Sequence, residues 1–128
     1  MKKAGIFNSE LSKIIAKMGH KDMLAVVDMG FPIPESVERI DLVVDRGEPA
    51  IFRVLEVIER ELKVEELIFA EESSEEFVNK VRRIFKDAKV TFISHEELKK
   101  LSNKSRAVIR TGEAVPYSNV ILVSGVIF

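Results

Sequence analysis

Between Ser9 and Met18 the apolar residues Leu11, Ile14, Ile15 and Met18 recur at helical spacing with lysines opposite, which predicts an amphipathic helix. Asn8 or Ser9 can cap its start, and Gly19 can end it. The run Met23–Asp28 is continuously apolar until its closing carboxylate, as expected of a buried strand. Pro32 and Pro34 then keep the following segment out of a helix. A second strand is predicted near Arg39–Val44, and Pro49 suits the first turn of a helix whose apolar face runs through Phe52, Leu55, Ile58 or Glu59, and Leu62. Glu65–Glu71 reads as a strand. Ser73 with Glu76 has the spacing of a capping box before a helix that buries Phe77, Val81, Ile84 and Phe85. Val90–Ile93 is a strand, and Ser94 with Glu97 forms a second capping box, which puts His95 in the first turn of a short helix. Ala107–Arg110 and Asn119–Val123 are closing strands around the turn-rich stretch from Thr111 to Ser118. Strands alternating with helices predict an α/β fold: a single domain over residues 1–128, with a mostly parallel sheet flanked by helices.

Composition narrows the function. With 46% hydrophobic residues the chain is not a disordered one, and with a net charge of −1 it lacks the basic footprint of a nucleic-acid binder. The short basic cluster Lys80, Arg82, Arg83 alternates with acids and fits a solvated helix face. The chain contains no cysteine, so disulfides and thiolate chemistry are excluded. No apolar run approaches the roughly 20 residues of a membrane span, and the N-terminus has no signal-peptide pattern; a cytoplasmic protein is expected. There is no phosphate-binding loop, GxGxxG or GxSxG element, and two distant histidines make a poor zinc set, so neither a metal nor an organic cofactor is expected.

Chemistry rests on few residues. His20 follows a predicted helix end and His95 opens a predicted helix, so the two meet opposite ends of helix dipoles, as an acid/base pair requires if both reach one cleft. Each could equally be a surface histidine. Asp28 can orient a histidine or hold hydroxyls, or can simply cap a turn. Gly112-Glu113 with Pro116-Tyr117-Ser118-Asn119 could present polar groups to a polyol, or could form a plain hairpin loop. In parallel sheets, ligands bind beyond the carboxyl ends of strands, where Asp28 and His95 are both expected.

The combination Gly19-His20, Asp28-Met-Gly-Phe-Pro-Ile-Pro34, Arg39-Ile-Asp41, Ala107-Val-Ile-Arg-Thr-Gly-Glu113 and Pro116-Tyr-Ser-Asn119 resembles the D-ribose pyranase family over nearly the whole chain. L-fucose mutarotases are its sister branch. The short chain, Arg110 and Pro116 favour the ribose side. The resemblance implies a cofactor-free isomerase of carbohydrate metabolism that interconverts pyranose and furanose forms of D-ribose in ribose catabolism. It implies pentameric rings stacked into a homodecamer, with each site between neighbouring subunits. It implies His20 as proton donor, and Asp28, His95, Lys99, Tyr117 and Asn119 as sugar contacts, with Ser118 contributing its backbone. Against this stand an L-fucose mutarotase and a catalytically silent sugar-binding module, in which His20 is dispensable.

Overall fold

The computed structural model describes residues 1–128. Ten elements follow in order: α1 (Ser9–Lys17), β1 (Met23–Val27), β2 (Arg39–Asp41), α2 (Ile51–Glu59), β3 (Val64–Ala70), α3 (Glu75–Ile84), β4 (Lys89–Ile93), α4 (His95–Ser102), β5 (Ala107–Arg110) and β6 (Val120–Ser124). The six strands form one sheet in the order β2-β5-β1-β6-β3-β4. Neighbours are parallel except at β6, which lies between β1 and β3 and runs antiparallel to both. The α/β class and the mostly parallel sheet follow the sequence pattern.

Both faces of the sheet are covered, which is why β1 and β6 read as unbroken apolar runs rather than alternating ones. One face carries the larger core, in which α1, α2 and α3 pack Leu11, Leu55 and Val81 over Leu24, Leu67, Phe69 and Leu122. The other carries a smaller core of Ala25, Val27, Ile68, Val108 and Ile121, closed by Leu98 of α4 and by Phe31. No helix is long and apolar enough to cross a membrane.

Capping contacts fix where the helices start. Asn8 caps α1 by accepting from the Leu11 amide at 3.0 Å. The Ser94–Glu97 box at α4 forms in both directions, at 3.2 and 3.3 Å. At α3 the cap is Ser74 and not the expected Ser73; Ser74 accepts from Phe77, while the Ser73 hydroxyl donates to the Tyr117 carbonyl at 2.8 Å. The helix α2 begins at Ile51, beyond Pro49, and buries Ile51, Val54, Leu55 and Ile58, with Phe52 at the margin and Leu62 past its end. The second strand stops at Asp41 instead of reaching Val44. The stretch between β5 and β6 is not a hairpin, because those two strands do not pair: β1 lies between them.

Candidate active site

The reversed direction of β6 assembles the site. The carboxyl ends of the five parallel strands face one edge of the sheet, and the amino end of β6 faces the same edge. Asp28 after β1, Glu72 after β3, His95 after β4 and Glu113 after β5 therefore meet Tyr117 and Asn119, which precede β6. Asp28, His95, Glu113 and Tyr117 of this set line an open cleft of ≈ 620 Å³, within the range of small-molecule sites. Its polar lining is Asp28, Arg46, His95, Lys99, Glu113 and Tyr117, and its apolar lining includes Phe31, Pro32 and Val115.

Asp28 is held by its surroundings on both sides. Its amide donates to Asn119 Oδ1 at 2.8 Å, and its Oδ1 accepts from the Gly30 amide at 3.1 Å, a turn made where the strand ends. Burial pushes the Asp28 carboxyl above the ordinary carboxylate range. The neighbouring Asn119 amide, the Gly30 bond and His95 oppose that rise. Asn119 itself is fully buried, and its Nδ2 lies near the Asp28 carboxylate without closing a hydrogen bond of ordinary geometry. Such an unpartnered buried donor is costly unless something else accepts from it.

His95 is the first residue of α4, and its backbone amide donates to the Glu72 carboxylate at 3.1 Å. The ring stands edge-on to Phe31 and Tyr117, with centroids 6.0 and 5.0 Å away, so two aromatic walls fix its plane. Its Nδ1 is buried without a partner. Lys99 lies one turn further along α4, with Nζ 3.0 Å from Glu96. Tyr117 has φ = 59°, in the left-handed region, and its carbonyl is tied down by Ser73. A non-glycine residue in that region is held there by its surroundings.

Ser118 does not line the cleft. It is buried and faces a separate hollow of about 110 Å³ beside Phe52 and Glu113. Asn119 lies beneath Asp28 rather than in the wall. His20 is the greater departure from a single cleft: it precedes β1, so some 15 Å of strand separates it from Asp28. One chain therefore does not bring His20 and His95 together. His20 instead pairs with Glu65, Nε2 to Oε2, at 3.0 Å.

The structure adds Arg46 to the cleft and shows how Glu113, a candidate from the sequence, is used there. Arg46 reaches the cleft because its loop docks on the β5 end: the Gly47 amide donates to the Gly112 carbonyl at 2.6 Å, and the Gly112 amide to the Pro49 carbonyl at 2.8 Å. Nothing near Arg46 in the sequence signals this. Glu113 joins three segments. Its carboxylate accepts from the amides of Ile51, which starts α2, and of Ala114 and Val115; its carbonyl accepts from Met29. The Glu113 side chain thus caps a helix whose own N-cap residue, Ala50, cannot. No three His, Cys, Asp or Glu side chains converge in a geometry that could hold a metal ion.

An α/β sheet with a polar cleft of carboxylate, imidazole, ammonium and phenol groups at its carboxyl edge defines a small-molecule site suited to proton transfer among hydroxyls. The chain belongs to the RbsD / FucU transport protein family, whose pattern matches residues 1–127. It is 60% identical over its whole length, and the whole of the relative's, to a D-ribose pyranase of Thermosipho africanus. Among solved structures it resembles Bacillus subtilis RbsD complexed with D-ribose, at 42% identity with a TM-score of 0.94 over all of both chains. A fucose mutarotase of Streptococcus pneumoniae in complex with L-fucose shares the fold, with 22% identity, a TM-score of 0.80 and 94% of each chain covered.

Proposed function

We propose that the protein is a D-ribose pyranase, interconverting the pyranose and furanose forms of free ribose by general acid/base catalysis. The observation that carries this is the full-length identity to D-ribose pyranases, 60% in the first of them, across a chain whose cleft lines up Asp28, His95 and Tyr117. Ring opening removes a proton from the anomeric hydroxyl and delivers one to the ring oxygen. Reclosure through a different hydroxyl changes the ring size, and no redox step or strong nucleophile is needed. General acid/base groups contribute about 10²–10⁴-fold.

In this reading His95, Lys99 and Tyr117 hold hydroxyls from the cleft wall. Asn119 and the Ser118 backbone support them from beneath. Asp28, whose carboxyl burial favours the protonated form more than in water, exchanges protons at the sugar and sets the protonation of the transferring group. His20 serves the ring oxygen. Because it lies at the other edge of its own sheet, it reaches the cleft of a neighbouring subunit, consistent with sites between subunits of a pentameric ring and a decamer. A cytoplasmic location suits an enzyme acting on free ribose after uptake.

The test is NMR saturation transfer on equilibrated D-ribose, with and without the protein and its His20→Ala variant. Faster pyranose–furanose exchange that drops about 10²–10⁴-fold in the variant, with ribose affinity kept, is the expected result. Unchanged ribose exchange together with faster anomer exchange of L-fucose would refute it, as would binding of both sugars with no exchange.

A further inference from the structure

We propose that Glu65 is a positioning residue for His20, fixing its imidazole at the sheet edge so that Nδ1 is the nitrogen that handles the proton. This rests on the reading of His20 as the proton-transfer residue. The His20 Nε2 lies 3.0 Å from Glu65 Oε2. A carboxylate only accepts, so neutral His20 keeps its hydrogen on Nε2 and offers the Nδ1 lone pair; once charged, it offers Nδ1–H.

Four features of the backbone serve this one contact. First, the pairing of β3 with β6 shifts from Val64 opposite Ser124 to Glu66 opposite Val123, which makes Glu65 the extra residue of a β-bulge. Val64 and Leu67 consequently point into the same core although they lie three apart. Bulges of this kind re-aim a side chain. Second, Lys21 takes φ = 72°, its amide donates to the Ser124 carbonyl at 2.9 Å, and its ammonium pairs with the other Glu65 oxygen. Third, the Gly19 amide donates to Asp22 Oδ2 at 2.8 Å, closing the turn that carries His20. Fourth, a Cβ at Gly125 would stand 3.0 Å from Glu65 Cβ and 3.3 Å from its Oε2, so only glycine leaves the carboxylate its full room. Exposed ion pairs add little to stability, and the His20 side chain is 48% exposed. A bulge, a left-handed lysine and a glycine converging on such a pair point to orientation as its purpose.

The experiment measures ribose exchange by saturation transfer in the full-length protein and in Glu65→Ala, Glu65→Gln, His20→Ala and the Glu65→Ala/His20→Ala double variant, with the nitrogen-15 shifts of the His20 ring. Glu65→Ala should lower turnover at least about 10-fold, the scale on which removing an orienting partner of a histidine acts, with half-saturating ribose kept within about twofold. Glu65→Gln, which can still accept from Nε2–H, should recover most of that loss. On the His20→Ala background Glu65→Ala should cost nothing more, because the two residues act as one unit. The ring shifts should report Nε2–H in the wild type and a tautomer mixture in Glu65→Ala. Full turnover in Glu65→Ala beside an inactive His20→Ala, an additive loss in the double variant, or an Nδ1–H tautomer in the wild type would each overturn the role of Glu65. A fully active His20→Ala would instead overturn the reading of His20, and this inference with it.

Discussion

Replacing Gly112 by alanine tests whether the Arg46 loop is held where the cleft needs it. A Cβ at position 112 would stand 2.5 Å from the Glu48 amide nitrogen, with that residue's carbonyl carbon and oxygen nearer still. Ordinary carbon contacts begin at about 3.5 Å, so the backbone of residues 47–49 must retreat by about 1 Å. No flexible side-chain tip can yield there, because every close atom belongs to the main chain. The retreat breaks two hydrogen bonds, from Gly47 to the Gly112 carbonyl and from Gly112 to the Pro49 carbonyl. With roughly 0.5–1 kcal/mol for each bond and about 1–3 kcal/mol for overpacking, the loss is about 2–5 kcal/mol. For 128 residues the unfolding entropy is about 0.27 kcal/mol/K, so Tm should fall by roughly 7–18 °C. The same retreat withdraws Arg46 and loosens Glu113, so half-saturating ribose should rise. Circular dichroism melts at fixed protein concentration, beside the ribose exchange assay, read both effects. A Tm within about 2 °C of wild type with unchanged ribose dependence would refute the close approach and the role given to this loop.

Asp28→Asn should stabilise the protein more at pH 7 than at pH 4 while abolishing ribose exchange. Burial raises the folded carboxyl above its ordinary value of 3.8, so its contribution is present below that value and is lost as pH rises through the raised one; asparagine has no such loss. Urea midpoints at the two pH values check the sign, and a larger benefit at pH 4 would contradict it. In the proposed shared site, His20→Ala and Asp28→Asn subunits unfolded together and refolded in equal amounts should regain activity, because about one site in four then joins an intact His20 to an intact cleft. Continued inactivity of a correctly assembled mixture would place His20 and Asp28 in the same subunit's site.

Much of this architecture is local and was legible in the sequence. The stripe Leu11, Ile14, Ile15, the cap at Asn8 and the Ser94–Glu97 box each depend on residues within a turn or two of one another. The strands of the centre were legible as apolar runs because both their faces are buried. What was not legible depends on distant pairing. Nothing local tells β6 to enter between β1 and β3, and the hairpin alternative for Thr111–Ser118 drops out for that reason. The expected cap Ser73 gave way to Ser74 because the distant Tyr117 carbonyl takes the Ser73 hydroxyl. Arg46 joins the cleft only through main-chain contacts to Gly112, which is 66 positions away. His20 and Asp28 are only eight apart in sequence, but a five-residue strand between them sends them to opposite edges.

That separation bears on assembly as much as on mechanism. Each edge of the sheet is prepared on its own terms: the cleft edge by the Asp28–Asn119 bond and the aromatic walls around His95, the other edge by the bulge that aims Glu65 at His20. A histidine so fixed, yet a strand's length from the cleft of its own chain, is of use when it faces the cleft of another copy. The two surfaces in such a contact differ, so the contact is head-to-tail, and head-to-tail contacts close into rings when the rotation permits. A ring in which every subunit gives His20 to one neighbour and takes it from the other leaves no site incomplete. The head-to-tail arrangement of the proposed ring thus follows from where β1 puts its two ends, and in that proposal His20 and the cleft are ordered separately before assembly brings them together.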